Sequence, residues 1–281
     1  MSRLRIPPDR AGVPSTADAG RRSGRPSAAI YESTRLAEAY AGARPPVHQP
    51  IVDARLRRLA GGRPVERLLD VGCGTGLSTA AVAALARSTV GLDPSLAMLR
   101  HHGRVAAGCQ FVAGRAERLP FAGRSFDRLT AAGALNYVDP VRFFPEADRV
   151  LRPGGLLLIY DFSEGRRARD RADLAGWYAA FEGRYPAPRG YALDLERFDF
   201  PGYGFAPEAF ESFEVGLPMT LAGYVAYLLS EAGVETASAR GTPETEVRGW
   251  CERTLAAVFD DQPLEVLFDA YVAVVGRRQA E

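Results

Sequence analysis

Short apolar runs alternate with amphipathic segments from residue 34 to residue 162 of the chain. Runs that are apolar almost throughout predict five strands, at 65–72, 89–93, 109–114, 126–132 and 156–162. Apolar positions three or four residues apart predict five helices, at 34–41, 50–60, 78–88, 94–102 and 139–155. Apolar strands that are separated by helices are typical of a parallel sheet covered on both faces. The pattern therefore predicts a doubly wound α/β fold.

The remaining residues carry a different pattern. Alternating side chains predict a strand at 210–219, and a long apolar run predicts a last strand at 264–278. Helical spacing predicts helices at 220–233 and 242–259, the second of them capped by Thr242. These elements would complete the sheet.

The composition divides the chain into four segments. Residues 1–29 are rich in arginine, proline, serine and glycine and are predicted to form a disordered tail. Residues 30–162 form the predicted ligand-binding core with its lead-in helices, and 210–281 complete it. Between them, 163–209 is rich in aromatic and basic residues and is predicted to be an inserted lid over the carboxyl ends of the strands, although most of its rings are expected to pack against the sheet.

The net charge and the cysteine content limit the partners and cofactors that we expect for this chain. A formal charge of +1 over 281 residues gives no electrostatic basis for binding nucleic acid or an anionic membrane. No apolar run approaches the roughly 20 residues of a membrane span. The three cysteines fit neither a metal site nor a disulfide framework. We therefore expect a cytoplasmic protein with no bound metal, no nucleic-acid partner and no membrane association; its oligomeric state is not predicted.

The stretch LLDVGCGTG, residues 68–76, is the main chemical signal. Its glycines, Gly72, Gly74 and Gly76, fall between the first strand and the helix after it. In doubly wound sheets, ligands bind beyond the carboxyl ends of the strands, and bare backbone amides at a helix N-terminus suit a nucleotide-like ligand. A tight turn without a ligand would need the same residues.

Asp93 ends the second strand, where a carboxylate can accept two hydrogen bonds from a ribose. The alternative is that Asp93 only caps the following helix. A dinucleotide fingerprint would place its third glycine at Leu77. The observed spacing therefore disfavours a nicotinamide or flavin cofactor.

Five segments in series resemble the motifs of class I S-adenosylmethionine-dependent methyltransferases of the small-molecule, type 11-like group. They are LLDVGCGTG, VGLDPS, GRAERLPF, SFDRLTAAGALNYV and ADRVLRPGGLLLIYDF, all within 65–162. YAGARPPVH, residues 40–48, is similar to a lead-in helix of some members. The resemblance implies a Rossmann-like, seven-stranded, mostly parallel sheet with an antiparallel C-terminal strand. It also implies S-adenosylmethionine as cofactor.

The resemblance assigns cofactor contacts residue by residue. The three glycines would lie along the methionyl part, with Asp70 near its amino group and Asp93 on the ribose. The other implied cofactor residues are Arg44, Ser95, Met98, Ala116, Glu117, Ala132 and Gly133. Family members usually carry an acidic residue where this chain has Arg115.

Three further residues are candidates for the chemistry. His48 lies near the expected mouth of the site and could act as a base, or it could pack or contact the substrate. Asn136 follows the fourth strand and Tyr160 ends the fifth, where the acceptor is expected, although Tyr160 could equally be a core residue. The expected acceptor is a small molecule, aromatic or anionic, methylated on an oxygen, nitrogen or carbon atom. The alternative is a regulatory or non-methylating protein that binds the same cofactor.

Overall fold

The computed structural model describes residues 28–188 and 193–278, which form one eight-stranded mixed sheet with helices on both faces. The strands are β1 Val65–Val71, β2 Ala86–Asp93, β3 Gln110–Ala113, β4 Phe126–Ala132, β5 Leu151–Phe162, β6 Arg167–Ala168, β7 Phe205–Met219 and β8 Leu264–Arg277. The predicted disordered tail lies outside the described residues, apart from Ala28 and Ala29, which begin a short 3₁₀ helix. Tyr191 of the predicted lid also lies outside them.

The sheet order is β3-β2-β1-β4-β5-β8-β6. β5 and β6 pair with successive parts of one edge of β8, and β7 pairs along the opposite edge. The first five strands are parallel, whereas β8 runs antiparallel to β5, β6 and β7. The strand order reverses between β1 and β4, and ligands bind at such a switch point. All seven predicted strands are present, and the antiparallel C-terminal strand is confirmed. The eighth strand is β6, which has only two residues.

The described residues contain eleven α-helices, three of which precede β1. They are α1 Thr34–Ala43, α2 His48–Ile51, α3 Arg57–Leu59, α4 Leu77–Val82, α5 Leu96–Leu99, α6 His102–Val105, α7 Pro140–Val150, α8 Asp173–Arg184, α9 Leu221–Leu229, α10 Ala232–Ala239 and α11 Glu244–Phe259. A π-helical stretch, Val52–Leu56, joins α2 to α3 into one helical segment. Short 3₁₀ turns lie at Ala83–Leu85, Ala134–Asn136 and Pro201–Tyr203.

Two helix starts show where local sequence rules hold and where they fail. Asp139 caps α7 in agreement with the usual rules, since its Oδ1 accepts the Val141 amide at 3.1 Å and Pro140 takes the first helical position. Thr242 was predicted to cap α11, and this is wrong. The cap residue is Pro243, and no side chain accepts a hydrogen bond there.

Sheet pairing shortens two predicted helices. The helix predicted at 78–88 ends at Val82, and Ala86 to Ser88 belong to β2, where they extend its ladder against β1. The helix predicted at 139–155 ends at Val150, and β5 begins at Leu151 opposite Phe126. Ladder hydrogen bonds to β1 therefore override local helix propensity at Ala86 to Ser88, whereas the proline and two glycines of the RPGG stretch, 152–155, have low helix propensity of their own.

Most described rings of the predicted lid pack against the body of the protein, in two groups on different hydrophobic clusters. Trp177, Phe181 and Tyr185 contact Trp250 of α11. The second group surrounds Phe144 of α7 and consists of Phe198, Phe200, Tyr203 and Phe205. These rings bind the segment 163–209 to both layers of helices.

Candidate active site

The glycine turn after β1 is tightly constrained on one side and open on the other. The Gly72 and Cys73 amides both donate to the Leu92 carbonyl of β2, at 2.7 and 3.1 Å. At Gly72 the φ angle is 70°, and an added Cβ would collide with the Cβ of Ala134. Gly74 also has a positive φ, 55°, but a Cβ there would meet nothing within 4 Å. Gly72 is therefore required by the fold, whereas Gly74 borders open space.

Asp93 ties the end of β2 to this turn. Its Oδ2 accepts the Gly74 amide at 2.9 Å and its Oδ1 accepts the Ser95 amide at 2.8 Å. The N-cap of α5 is Ser95, whose Oγ accepts the Met98 amide. Asp93 therefore does not cap that helix. Burial raises the pKa of Asp93 above its ordinary value, while the two amides oppose the rise.

Asp70 is fully buried and accepts hydrogen bonds from three hydroxyl groups. Ser78 and Thr79 of α4 donate to its Oδ2 at 2.6 and 2.7 Å, and Thr130 of β4 donates to its Oδ1 at 2.7 Å. Burial raises the pKa of Asp70 against these three hydrogen bonds. The carboxylate thus joins α4, β1 and β4 beneath the glycine turn, and all its described contacts are to protein hydroxyls.

The residues expected around the ribose and the adenine are placed mainly by packing. Ser95 donates its hydroxyl to the Tyr31 carbonyl at 2.7 Å. Met98 is buried in a small cluster with residues of α1, and Ala116 is buried in a larger one. Glu117 accepts the Asp139 amide at 3.2 Å. The loop after β3 is thereby joined to the start of α7.

At the end of β4, a hydrogen-bond network surrounds Gly133, which follows Ala132. The Gly133 amide donates to the Tyr160 carbonyl at 2.9 Å, and φ is 65°. Asn136 donates to Asp161 at 3.0 Å and to the Gly133 carbonyl at 3.3 Å, and it accepts the Leu193 amide at 3.0 Å. Both ends of the Asn136 amide are therefore engaged. Asn136 joins the ends of two strands to the segment that follows residue 192.

Arg44 lies just beyond α1 in an electrostatic cluster that the sequence does not reveal. Its guanidinium pairs with Glu231 at 3.0 Å and donates to the Ser230 carbonyl at 3.1 Å. It lies 4.4 Å from the Tyr40 ring centroid and 5.3 Å from that of Tyr227. Burial alone would lower the pKa of Arg44, but Glu231 and the tyrosines raise it. Arg44 Nε is buried without a hydrogen-bond partner among the described residues.

His48 and Tyr160 are in direct contact. The His48 Nδ1 atom lies 3.1 Å from the Tyr160 hydroxyl, and the His48 ring meets the edge of Phe162 at a centroid distance of 5.1 Å. Burial, with a further contribution from Arg44, lowers the pKa of His48 from 6.5 to about 4. Burial raises the pKa of Tyr160 well above its usual range. At neutral pH both groups are therefore uncharged.

Sequence reasoning missed two contributors to this region, Tyr31 and Glu231. Tyr31 and Tyr137 share a hydrogen bond at 2.9 Å between their hydroxyls, and no local pattern links two residues so far apart. Glu231 comes from the C-terminal part of the chain and is equally invisible to motif matching. The contact between Tyr40 and Arg44 could have been predicted from the sequence, because the two residues are four positions apart, the spacing at which side chains on one helix face meet.

Together the structure places most predicted site residues around the carboxyl ends of β1, β2, β4 and β5. Among residues 28–188 and 193–278, no group of three or more histidine, cysteine or acidic side chains could hold a metal ion. Nor does any helix in that part of the chain have the length and apolarity needed to cross a membrane.

Comparison with known proteins agrees with this arrangement. The family described as "Methyltransferase domain" matches residues 69–159. The demethylmenaquinone methyltransferase of Renibacterium salmoninarum is 41% identical over 114 residues, which cover 39% of this chain and 48% of that protein. The protein of the same name from Tropheryma whipplei is 32% identical over 194 residues, 66% of this chain and 75% of that protein. The chain thus matches about half the length of the first relative and three quarters of the second.

A solved structure from Anaeromyxobacter dehalogenans, described as a type II methyltransferase, shares the fold. Its TM-score is 0.60 with 22% identity, over 79% of this chain and 94% of that one. The match to the family and the similarity to the Tropheryma protein show the family of the chain in addition to its fold. The chain belongs to the class I S-adenosylmethionine-dependent methyltransferases.

Proposed function

We propose that this chain transfers a methyl group from S-adenosylmethionine to a small-molecule acceptor. The observation that carries the proposal is the open space in front of Gly74. Its amide is held by Asp93 while an added Cβ would meet nothing within 4 Å. The family membership supplies the identity of the ligand that this space would take.

The residues present fit that cofactor. The glycine turn would hold the methionyl part against backbone amides, and the carboxylate of Asp93 keeps lone pairs available for a ribose. Arg44 Nε and the Thr75 hydroxyl in the turn are buried donors without hydrogen-bond partners among the described residues. They can donate hydrogen bonds to the charged end of a ligand. When bound, the cofactor supplies a methyl group already activated by a positively charged sulfur. The protein has only to hold and orient the reactants and keep water out.

We propose an aromatic rather than an anionic acceptor. Rings gather near the carboxyl ends of β4 and β5, namely Tyr31, Tyr40, Tyr137 and Phe162. The charge of Arg44 is balanced by Glu231. The basic run within 165–171 is also neutralised by acidic side chains. Arg166, Arg167, Arg169 and Arg171 each pair with an acidic side chain.

The relatives suggest one specific acceptor to test first. Their name, demethylmenaquinone methyltransferase, describes an acceptor with a flat ring system, in agreement with the rings around the site. We propose a substrate of this class for the present chain. Asn136 and the segment after residue 192 would border it.

Two measurements test the proposal in order. Calorimetry with S-adenosylmethionine, S-adenosylhomocysteine and NAD should show binding of the first two and none of NAD. Transfer of a labelled methyl group should then be followed with demethylmenaquinone, oxidised and reduced, and with a panel of phenols and amines. Failure to bind S-adenosylhomocysteine would contradict the whole proposal. Binding without turnover on any acceptor would instead support a non-methylating protein.

A further inference from the structure

The burial of Tyr160 and the number of hydrogens on the two side chains determine which atom donates in the hydrogen bond between His48 and Tyr160. Tyr160 is fully buried, and within the described residues the only partner of its hydroxyl is His48 Nδ1. A tyrosine hydroxyl carries one hydrogen, and a neutral imidazole carries one hydrogen on one of its two nitrogens. The pair can therefore be satisfied in only one of two arrangements.

If Nδ1 carried the hydrogen, it would donate to the tyrosine oxygen, and the tyrosine hydrogen would be buried with no acceptor. Buried donors without acceptors are rare because they lose their hydrogen bonds to water. If Tyr160 donates to Nδ1, both groups are satisfied. The imidazole hydrogen must then lie on Nε2. The lowered pKa of His48 is consistent with a neutral ring.

The Nε2 atom is the end of the ring left for a ligand. Among residues 28–188 and 193–278 it has no hydrogen-bond partner, and the His48 side chain is half-buried rather than sealed. The ring lies against Tyr160, whose carbonyl accepts the Gly133 amide at the end of β4. His48 therefore stands beside the rim where the acceptor is proposed to bind.

We infer that His48 is a hydrogen-bond donor to an oxygen atom of the methyl acceptor, through Nε2–H, and that Tyr160 fixes this tautomer. The inference rests on the proposed function and narrows the acceptor to molecules that present a carbonyl, enolate or phenolate oxygen. A donor fixed in advance stabilises negative charge on such an oxygen while a neighbouring atom is methylated. In this tautomer Nε2 cannot accept a proton, so His48 does not act as a general base through it.

The tautomer can be measured without any turnover. The chain contains three histidines, so long-range ¹H–¹⁵N correlation spectra of histidine-labelled protein are simple, and His48→Gln assigns the His48 signals. Near neutral pH, we expect His48 to carry its hydrogen on Nε2. In Tyr160→Phe the ring should become a mixture of tautomers, with His101 and His102 unchanged as internal controls. A hydrogen on Nδ1 in the native protein would overturn the inference, as would an unchanged tautomer in Tyr160→Phe.

A second experiment tests the donor role with demethylmenaquinone as acceptor. The amide nitrogen of glutamine can occupy the position of Nε2, whereas that of asparagine corresponds to Nδ1. Compared with His48→Ala, we expect His48→Gln to restore kcat/KM at least tenfold and His48→Asn to restore none. Equal losses in all three variants would exclude the donor role.

Binding of S-adenosylhomocysteine separates this inference from the proposed function. All three His48 variants should bind it as the native protein does. If the native protein binds it but methylates nothing, the proposed function fails and the acceptor part of the inference fails with it. If turnover is normal and the tautomer is wrong, only the inference fails.

Discussion

At the scale of single residues, the first two glycines of the turn have different roles. Gly72 is confined by Ala134, and Gly74 faces open space although both have a positive φ. The sequence showed three glycines but could not say which of them borders the proposed ligand. That distinction depends on the course of the chain at Ala134, 62 residues after Gly72.

Gly74→Val should abolish binding of S-adenosylhomocysteine, because the new side chain would fill the space in front of the turn. Calorimetry is the measurement. Gly61→Val is a matched control, since Gly61 also has a positive φ (93°) and open space around its Cβ, but lies after α3, away from the site. We expect each variant to lose about 1–3 kcal/mol of stability through backbone strain. Normal binding by Gly74→Val would place the ligand elsewhere.

His48 should make stability depend on pH. In the folded protein its pKa is lowered from 6.5 to about 4 by burial and by Arg44; Tyr160 and Phe162 also face the ring. Between these values the unfolded chain binds a proton that the folded protein does not, so stability falls as pH falls. The full loss is at most about 3 kcal/mol, and less to the extent that water reaches the ring.

The measurement is urea unfolding at about pH 7 and about pH 4.5 for the native protein and for His48→Gln. Carboxylates titrate in the same range, so the difference between the two proteins isolates the histidine. We expect the variant to lose less stability on acidification. Identical losses would show that His48 titrates normally.

At the scale of elements, α1 is held by arginines that reach the C-terminal helices. Arg35 pairs with Glu235 and donates to the Leu229 carbonyl at 3.2 Å, while Arg44, just after α1, pairs with Glu231. On its other side, α1 packs against α5 through Leu36 and Met98. The helix therefore connects the proposed ribose side of the site to the end of α9.

Breaking the Arg44–Glu231 pair should be costly. The two side chains are only 16% and 12% exposed, so Glu231→Gln leaves a buried guanidinium without its counter-charge, at about 3–5 kcal/mol. The control is Glu66→Gln, whose partner Arg87 is 76% exposed and which should cost under about 1 kcal/mol. Urea unfolding measures both, and equal effects would show that the buried pair contributes no more than a surface pair.

The elements also show how far a sequence leads. Continuous apolar runs identified β8 and the five parallel strands, since parallel strands covered on both faces need such runs, and side-chain alternation identified β7; β6 was not predicted. The ends of helices were predicted less accurately than the strands. Ala86 to Ser88 have no local feature that distinguishes a helix from a strand, and their pairing with β1 makes them part of β2. The motifs located the turn and Asp93, since both are local. Glu231 and the His48–Tyr160 contact depend on tertiary packing and were therefore missed.

At the scale of the whole molecule, two large hydrophobic clusters cover the sheet. One contains the helices around Tyr224 and Leu255, and the other contains α7 with Phe144. The segment 163–209 contributes rings to both. It therefore binds the two layers of the molecule together in addition to any part it has in covering an acceptor.

Phe144→Ala should destabilise the protein without weakening cofactor binding. The side chain is fully buried among five rings, so its removal should cost about 3–5 kcal/mol. Val141→Ala on the same helix is the control; Val141 is 57% exposed and should change stability by under about 0.5 kcal/mol. Thermal unfolding and calorimetry at low temperature measure the two quantities. A large loss of S-adenosylhomocysteine affinity at low temperature would show that this cluster also shapes the site.

The partnership between Arg44 and Glu231 has a consequence for how the protein is made. Arg44 leaves the ribosome well before its counter-charge, because Glu231 lies 187 residues later in the chain. A nascent chain that has just reached residue 162 already contains every motif by which the family is known. It nevertheless lacks the carboxylate that neutralises this arginine, so the site reaches its final electrostatic state only after Glu231 has been translated and has paired with Arg44.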